Sequence, residues 1–134
     1  MRKAPLDKRT VISLRLADSI RQGLEFYCNN RPYPITLSEA IDRAITFYLA
    51  EIDYQNIHAL YVPPVKRQEL GRKPCSFSLT NRNLVVLTTV AKMLGIPRTH
   101  LITAAINNLL AGKYPDFKCF LILFNVRHMN QGIF

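Results

Sequence analysis

Apolar and polar residues alternate along one stretch near the start of the chain, Arg9-Thr10-Val11-Ile12-Ser13-Leu14-Arg15-Leu16. Ile12, Leu14 and Leu16 fall on one side of an extended chain, and Val11, Ser13 and Arg15 fall on the other. Such a period is typical of a strand with one buried face and one face in water. Lys73-Pro74-Cys75-Ser76-Phe77-Ser78-Leu79 repeats the pattern, with Leu79 placed 63 positions after Leu16. The sequence therefore predicts two related strands.

Two helices are predicted after each strand. Ile20, Leu24 and Cys28 recur every four residues after the first strand, and Leu84, Leu87, Ala91 and Leu94 form the matching stripe after the second. Thr36-Leu37-Ser38-Glu39 is a capping box, which indicates the start of a longer helix. Its apolar stripe runs to Ile52, and the corresponding stripe of the second copy runs from Leu101 to Leu110. The chain is thus an internal repeat of strand, helix and helix.

The repeat predicts the domain organisation. The first motif covers residues 8–52, a linker covers 53–71, the second motif covers 72–112, and a tail of unknown structure covers 113–134. A lone strand leaves its backbone donors and acceptors unpaired, so the two strands are expected to pair with each other. The predicted fold is mainly α with a two-stranded antiparallel ribbon, in the order β-α-α-linker-β-α-α. Both motifs would form one compact domain, an intramolecular pseudo-dimer.

Composition narrows the classes of function. The 134 residues include 18 Lys and Arg against 9 Asp and Glu, a formal net charge of +9, which favours an anionic partner. No apolar stretch is long enough to span a membrane, and the first residues lack the apolar core of a secretion signal. Cys28, Cys75 and Cys119 lack Cys-x-x-Cys spacing, and no phosphate loop or catalytic motif is present. We expect an intracellular, cytoplasmic protein that is not an enzyme and needs no metal or cofactor.

With two strand-helix-helix units in register, the chain resembles the ribbon-helix-helix (MetJ/Arc) family as a tandem two-motif protein. Lys113-Tyr114-Pro115-Asp116-Phe117 also resembles a segment of the TraY-type DNA-transfer proteins of conjugative plasmids. The resemblance implies that the ribbon lies in the major groove of double-stranded DNA, which is wide enough for two antiparallel strands.

The resemblance also implies which residues meet DNA. Outward residues of the two strands would face base edges, namely Val11, Ser13, Arg15, Ser76 and Ser78, with Pro74 on the same side. Arg15 is the principal candidate, because a guanidinium donates two hydrogen bonds to guanine O6 and N7. Cations flanking the strands would bind phosphates, namely Lys8, Arg9, Arg72 and Lys73. In the family the starts of the longer helices also bind phosphate, which here points to Thr36, Ser38, Arg98, Thr99 and His100.

Two biological roles fit such a protein equally well: a transcriptional repressor, and a conjugation relaxosome accessory protein that marks a transfer origin. The alternative, from another class, is an antitoxin-like protein-interaction module whose C-terminal tail binds a partner. Cys119-Phe120-Leu121-Ile122-Leu123-Phe124 motivates it, because six consecutive apolar residues need to be covered. This segment could pack within the chain, bind a protein partner, or mediate self-association on adjacent DNA sites.

Overall fold

The computed structural model describes residues 8–114. Each strand is followed by two helices, and two short 3-10 helices, Tyr54–Ala59 and Arg67–Glu69, lie between the halves. The first half contains β1 (Arg9–Leu14), α1 (Asp18–Asn29) and α2 (Leu37–Glu51). The second half contains β2 (Cys75–Thr80), α3 (Asn81–Leu94) and α4 (Arg98–Leu110). The prediction of a mainly helical fold with a two-stranded antiparallel sheet is confirmed.

β1 and β2 pair in antiparallel register with each other. Ile12 lies opposite Phe77 and Leu14 opposite Cys75, on the face that packs on the helices, where Phe77 and Leu79 are almost fully buried. The other face is turned to solvent, as the alternation predicted.

The predicted strand ends were wrong by one or two residues. Arg15 and Leu16 follow β1 instead of belonging to it, and Lys73 and Pro74 precede β2. Thr80 extends β2 at its other end. The last paired residues at the end of the ribbon near Pro74 are Leu14 and Cys75, so Arg15 and Pro74 lie just outside the ladder.

Local signals set the helix ends. Thr36 precedes α2 and its hydroxyl accepts a hydrogen bond from the Glu39 amide at 3.1 Å, which confirms the predicted cap. Thr80 plays the same role before α3 by accepting from the Asn83 amide. Gly95 ends α3 in the left-handed conformation with φ of 66°, which a residue with a Cβ rarely adopts. The turn into α4 follows directly.

The core lies between the ribbon and the four helices. α2 packs against α4, α1 also contacts α4, and α2 contacts β2 and α3 of the other half. Leu24 and its counterpart Leu87 are completely buried, as are Ile41 and its counterpart Ile102. Helices of one half therefore bury apolar surface against the other half, which gives residues 8–114 a single shared core. None of the helices within this range is long and apolar enough to cross a membrane.

Gly71 is tightly enclosed where the chain approaches β2. Its amide donates to the Leu16 carbonyl at 2.9 Å, and a Cβ at this position would lie 2.8 Å from that same carbonyl oxygen. We therefore expect Gly71→Ala to lower the free energy of unfolding by about 1–3 kcal/mol, the usual range for overpacking. Urea unfolding measures the change. A variant as stable as the parent protein would show that there is room for a Cβ between Gly71 and the Leu16 carbonyl.

Candidate nucleic-acid interface

The solvent face of the ribbon brings together four of the five residues predicted to face bases. Val11 lies opposite Ser78, and Ser13 lies opposite Ser76. Val11 has 70 % of its surface exposed. Ser13 and Ser76 are exposed and Ser78 is half-buried. These four residues therefore offer one apolar group and three hydroxyls on this face.

Ser13 and Ser76 occupy the same position in the two repeats, and the register places them opposite each other. Their hydroxyl oxygens are 3.4 Å apart, and they are 63 positions apart in sequence, which equals the spacing of the repeat. The equivalent residues of the two strands thus meet at this point. Residues on either side of it are counterparts in the two repeats: Val11 corresponds to Pro74, Arg15 to Ser78, and Arg9 to Arg72.

Arg15 lies at the end of the ribbon where β1 ends and β2 begins. It is one residue past β1, and its side chain is exposed. Arg72, Lys73 and Pro74 precede β2 at the same end and are exposed as well. A cleft of about 280 Å³ lined by Asp18, Arg21, Arg72 and Lys73 adjoins them. Arg21 is 3.8 Å from Glu25, so the charge of Arg21 is partly compensated. This end therefore presents Arg15, Arg72 and Lys73 as its exposed cations.

Arg9 lies at the other end of the ribbon and is held by several acceptors. Its Nε donates to the Ser78 hydroxyl at 2.9 Å, and its Nη2 donates to the Ser78 carbonyl at 2.9 Å and to the Ser38 carbonyl at 3.4 Å. Its Nη1 lies 3.7 Å from the carboxylate of Asp42. Lys8 is exposed, and its carbonyl accepts from the Asn81 amide at 2.7 Å.

Asp42 connects α2 to β2 and α3 at this end of the ribbon, a role that the sequence patterns did not predict. Its Oδ1 accepts from the Thr80 amide at 3.0 Å and from the Asn83 side-chain amide at 2.9 Å. Asn83 also donates to the Thr46 hydroxyl at 2.8 Å. A signal was present, because Ser38, Asp42 and Thr46 recur every four residues and so form a polar stripe along one side of α2.

The two helix starts predicted to bind phosphate, those of α2 and α4, differ in how many of their polar groups already have partners. At the start of α2, the Thr36 hydroxyl accepts from Glu39, and the Ser38 hydroxyl accepts from the Ser78 amide at 2.8 Å, so both oxygens already have partners. α4 follows Pro97 and has no side-chain cap. Arg98, Thr99 and His100 form its first turn and are half-buried. The start of α4 is the less satisfied of the two helix ends.

The cysteine thiols of the described region lie away from this surface. Cys28 and Cys75 are free and buried, and burial raises the pKa of each thiol, so both remain protonated at neutral pH.

Cys119 and the apolar segment around it lie outside the described residues. Of the predicted tail, only Lys113 and Tyr114 are described, and Tyr114 is buried with its ring stacked 5.3 Å from that of Phe47. Within residues 8–114 no cluster of metal-ligating side chains occurs.

Comparison of the chain with family models, with curated proteins and with solved structures gave no match.

Proposed function

We propose that the protein binds double-stranded DNA in a sequence-specific manner by inserting the β1–β2 ribbon in the major groove. The observation that carries the proposal is the solvent face of the ribbon, where exposed Val11 and the hydroxyls of Ser13, Ser76 and Ser78 lie side by side. A two-stranded ribbon fits the major groove, where hydroxyls accept or donate to base edges and an apolar group contacts the thymine methyl.

Charge supports the same function. The chain has a net charge of +9, and exposed cations stand at both ends of the ribbon, with Lys8 at one end and Arg72 and Lys73 at the other. Cations in these positions could contact the phosphates on either side of the groove while the ribbon face meets the bases. Release of condensed counterions would then supply most of the affinity.

The two halves are proposed to act as a tandem ribbon-helix-helix pseudo-dimer. Two features support this arrangement: the repeated order of elements, and a register that brings Ser13 opposite its counterpart Ser76. In a symmetric dimer two identical chains would read a palindrome. Here the halves differ, because Arg15 corresponds to Ser78 and Val11 to Pro74, so the target is expected to be an imperfect palindrome.

Binding of this kind serves either a transcriptional repressor or a conjugation accessory protein. The physical interaction is the same for both roles, and the position of the bound site separates them. A site that overlaps a promoter favours the repressor, whereas a site next to a nicking sequence favours the accessory role.

Arg15→Ala is expected to remove base preference more than total affinity. A bidentate contact from arginine to guanine is worth about 1–3 kcal/mol of discrimination. Selection of bound sequences from random duplex DNA, followed by binding measurements on the selected site and its single-base variants, measures the loss.

Lys92→Ala is the matched control, because Lys92 is an exposed cation in the last turn of α3, far along the helix from the ribbon. It should keep the preference of the parent protein. Failure of the parent to enrich any sequence would overturn the proposed function, and an Arg15→Ala protein that still prefers the same guanine would remove Arg15 from the interface.

A further inference from the structure

Arg9 differs from the other cations of the ribbon in having all three guanidinium nitrogens engaged. Nε and Nη2 donate to the hydroxyl and carbonyl of Ser78, and Nη1 faces Asp42. Arginine binds phosphate through paired N–H donors that point the same way. In Arg9 these donors already face protein acceptors, and the adjacent carboxylate offsets the positive charge.

The carboxylate is itself fixed by the second half of the chain. Asp42 has only 13 % of its side chain exposed, and it accepts hydrogen bonds from the Thr80 amide and from Asn83. Ser38, one turn earlier in α2, accepts from the Ser78 amide. α2 therefore satisfies the outer edge of β2 at two successive outward amides, and the same helix supplies the anion that holds Arg9.

The contact with Arg9 also orients a hydroxyl on the solvent face. Because the Ser78 oxygen accepts from Arg9 Nε, its own hydrogen is left to donate elsewhere. A donor on this face suits guanine O6 and N7, adenine N7 or thymine O4.

The other end of the ribbon has no such arrangement. The counterparts of Arg9, Ser78 and Asp42 in the repeat are Arg72, Arg15 and Thr103. Two arginines therefore stand where the first end has an arginine and a serine, and a threonine replaces the carboxylate. Neither Arg15 nor Arg72 has an ion pair with another described residue, and both are exposed.

From this contrast we propose that Asp42 and Arg9 form a latch, which positions the Ser78 hydroxyl as a base-reading donor and keeps Arg9 off the phosphates. The latch makes the two ends of the ribbon unequal, because it concentrates phosphate contact at the end with Arg72 and Lys73. This inference rests on the proposed DNA binding. Asp42 and Arg9 act here as positioning residues, and neither is required to touch a base.

The salt dependence of binding to a random-sequence duplex pool tests the latch, because each phosphate contact contributes about 0.9 to the log–log slope. Asp42→Asn keeps an oxygen for the Thr80 amide but loses the charge that holds Arg9. We expect its slope to become steeper by about 0.9 as Arg9 reaches a phosphate. Adding Arg9→Gln to this variant should return the slope to that of the parent protein. Both Asp42 variants should show weaker base discrimination at the position facing Ser78.

Two controls complete the experiment. Glu51→Gln makes the same charge change at the exposed C-terminal end of α2 and should leave the slope unchanged. Arg72→Gln, the counterpart of Arg9→Gln, should make the slope shallower by about 0.9. Thermal unfolding of each variant checks that it is folded.

The possible outcomes separate the latch from the proposed function. Asp42→Asn and Glu51→Gln with equal slopes, or a steeper slope that persists without Arg9, would overturn the latch while DNA binding stands. If Asp42→Asn does not fold, the slopes of Arg9→Gln and Arg72→Gln are compared instead. Equal losses of slope in these two variants overturn the latch. A parent protein that shows no salt-dependent duplex binding overturns the proposed function and the latch with it.

Discussion

Leu79→Ala is expected to lower the free energy of unfolding by about 2–5 kcal/mol, the range for truncating a fully buried leucine. Leu79 has no exposed surface, and it lies on the inner face of β2 above the helices of both halves. Its loss removes apolar contacts and leaves a cavity that the surrounding helices fill only in part. Urea unfolding followed by circular dichroism measures the change, provided that the dependence on urea keeps the same slope.

Val11→Ala is the matched control, because Val11 lies on the opposite face of the same two-stranded sheet. With 70 % of its surface exposed, Val11 buries little apolar area, so its truncation should change stability by no more than about 0.5 kcal/mol. Val11→Ala should instead weaken the preference for thymine at the position that it faces. Equal destabilisation by the two substitutions would contradict the assignment of inner and outer faces.

Affinity for duplex DNA is expected to fall about 150-fold between 50 mM and 200 mM monovalent salt if four cations contact phosphates. Each such contact adds about 0.9 to the slope of log affinity against log salt concentration. The four are the lysines and arginines predicted to contact phosphate, apart from Arg9: Lys8, Arg72, Lys73 and Arg98. A fluorescence anisotropy titration at several salt concentrations gives the slope, whose magnitude should be near 3.6 on logarithmic axes.

Lys73→Ala should reduce this slope by about 0.9 and weaken binding to every sequence alike, since a phosphate contact carries no base information. Lys92→Ala, which removes an exposed charge at the far end of α3, should give a line parallel to that of the parent protein. Binding that is insensitive to salt would contradict a phosphate interface at the ribbon.

Local patterns were sufficient to predict the elements of this fold. The alternation around Ile12 and Phe77 predicted two half-buried strands, and the spacing of Leu24, Leu87 and Ile41 predicted helices with one buried face. These predictions are confirmed because periodicity reports which face of an element is apolar, and burial of that face is the main driving force of folding. Strand ends were less predictable, since they depend on where cross-strand partners stop, as at Leu14 and Cys75.

The polar contacts of the candidate interface were not predictable in the same way. Thr36 could be recognised as a cap because its partner Glu39 is three residues away. Arg9 was predicted to contact phosphate, and the protein groups that it contacts, Ser78 and Asp42, come from β2 and α2. No local pattern connects residues separated by 69 positions.

Short-range sequence patterns specify the repeated strand-helix-helix order of this protein, a buried stripe on every helix and a surplus of cations beside the strands. Each of these properties belongs to a short segment, and local spacing or composition is enough to specify it. The position of Ser13 opposite Ser76, and the contacts of Asp42 with the edge of β2 and with Arg9, depend on how the chain packs in three dimensions. Those contacts join distant segments, and they form only once the shared core has brought α2 of one half onto β2 of the other.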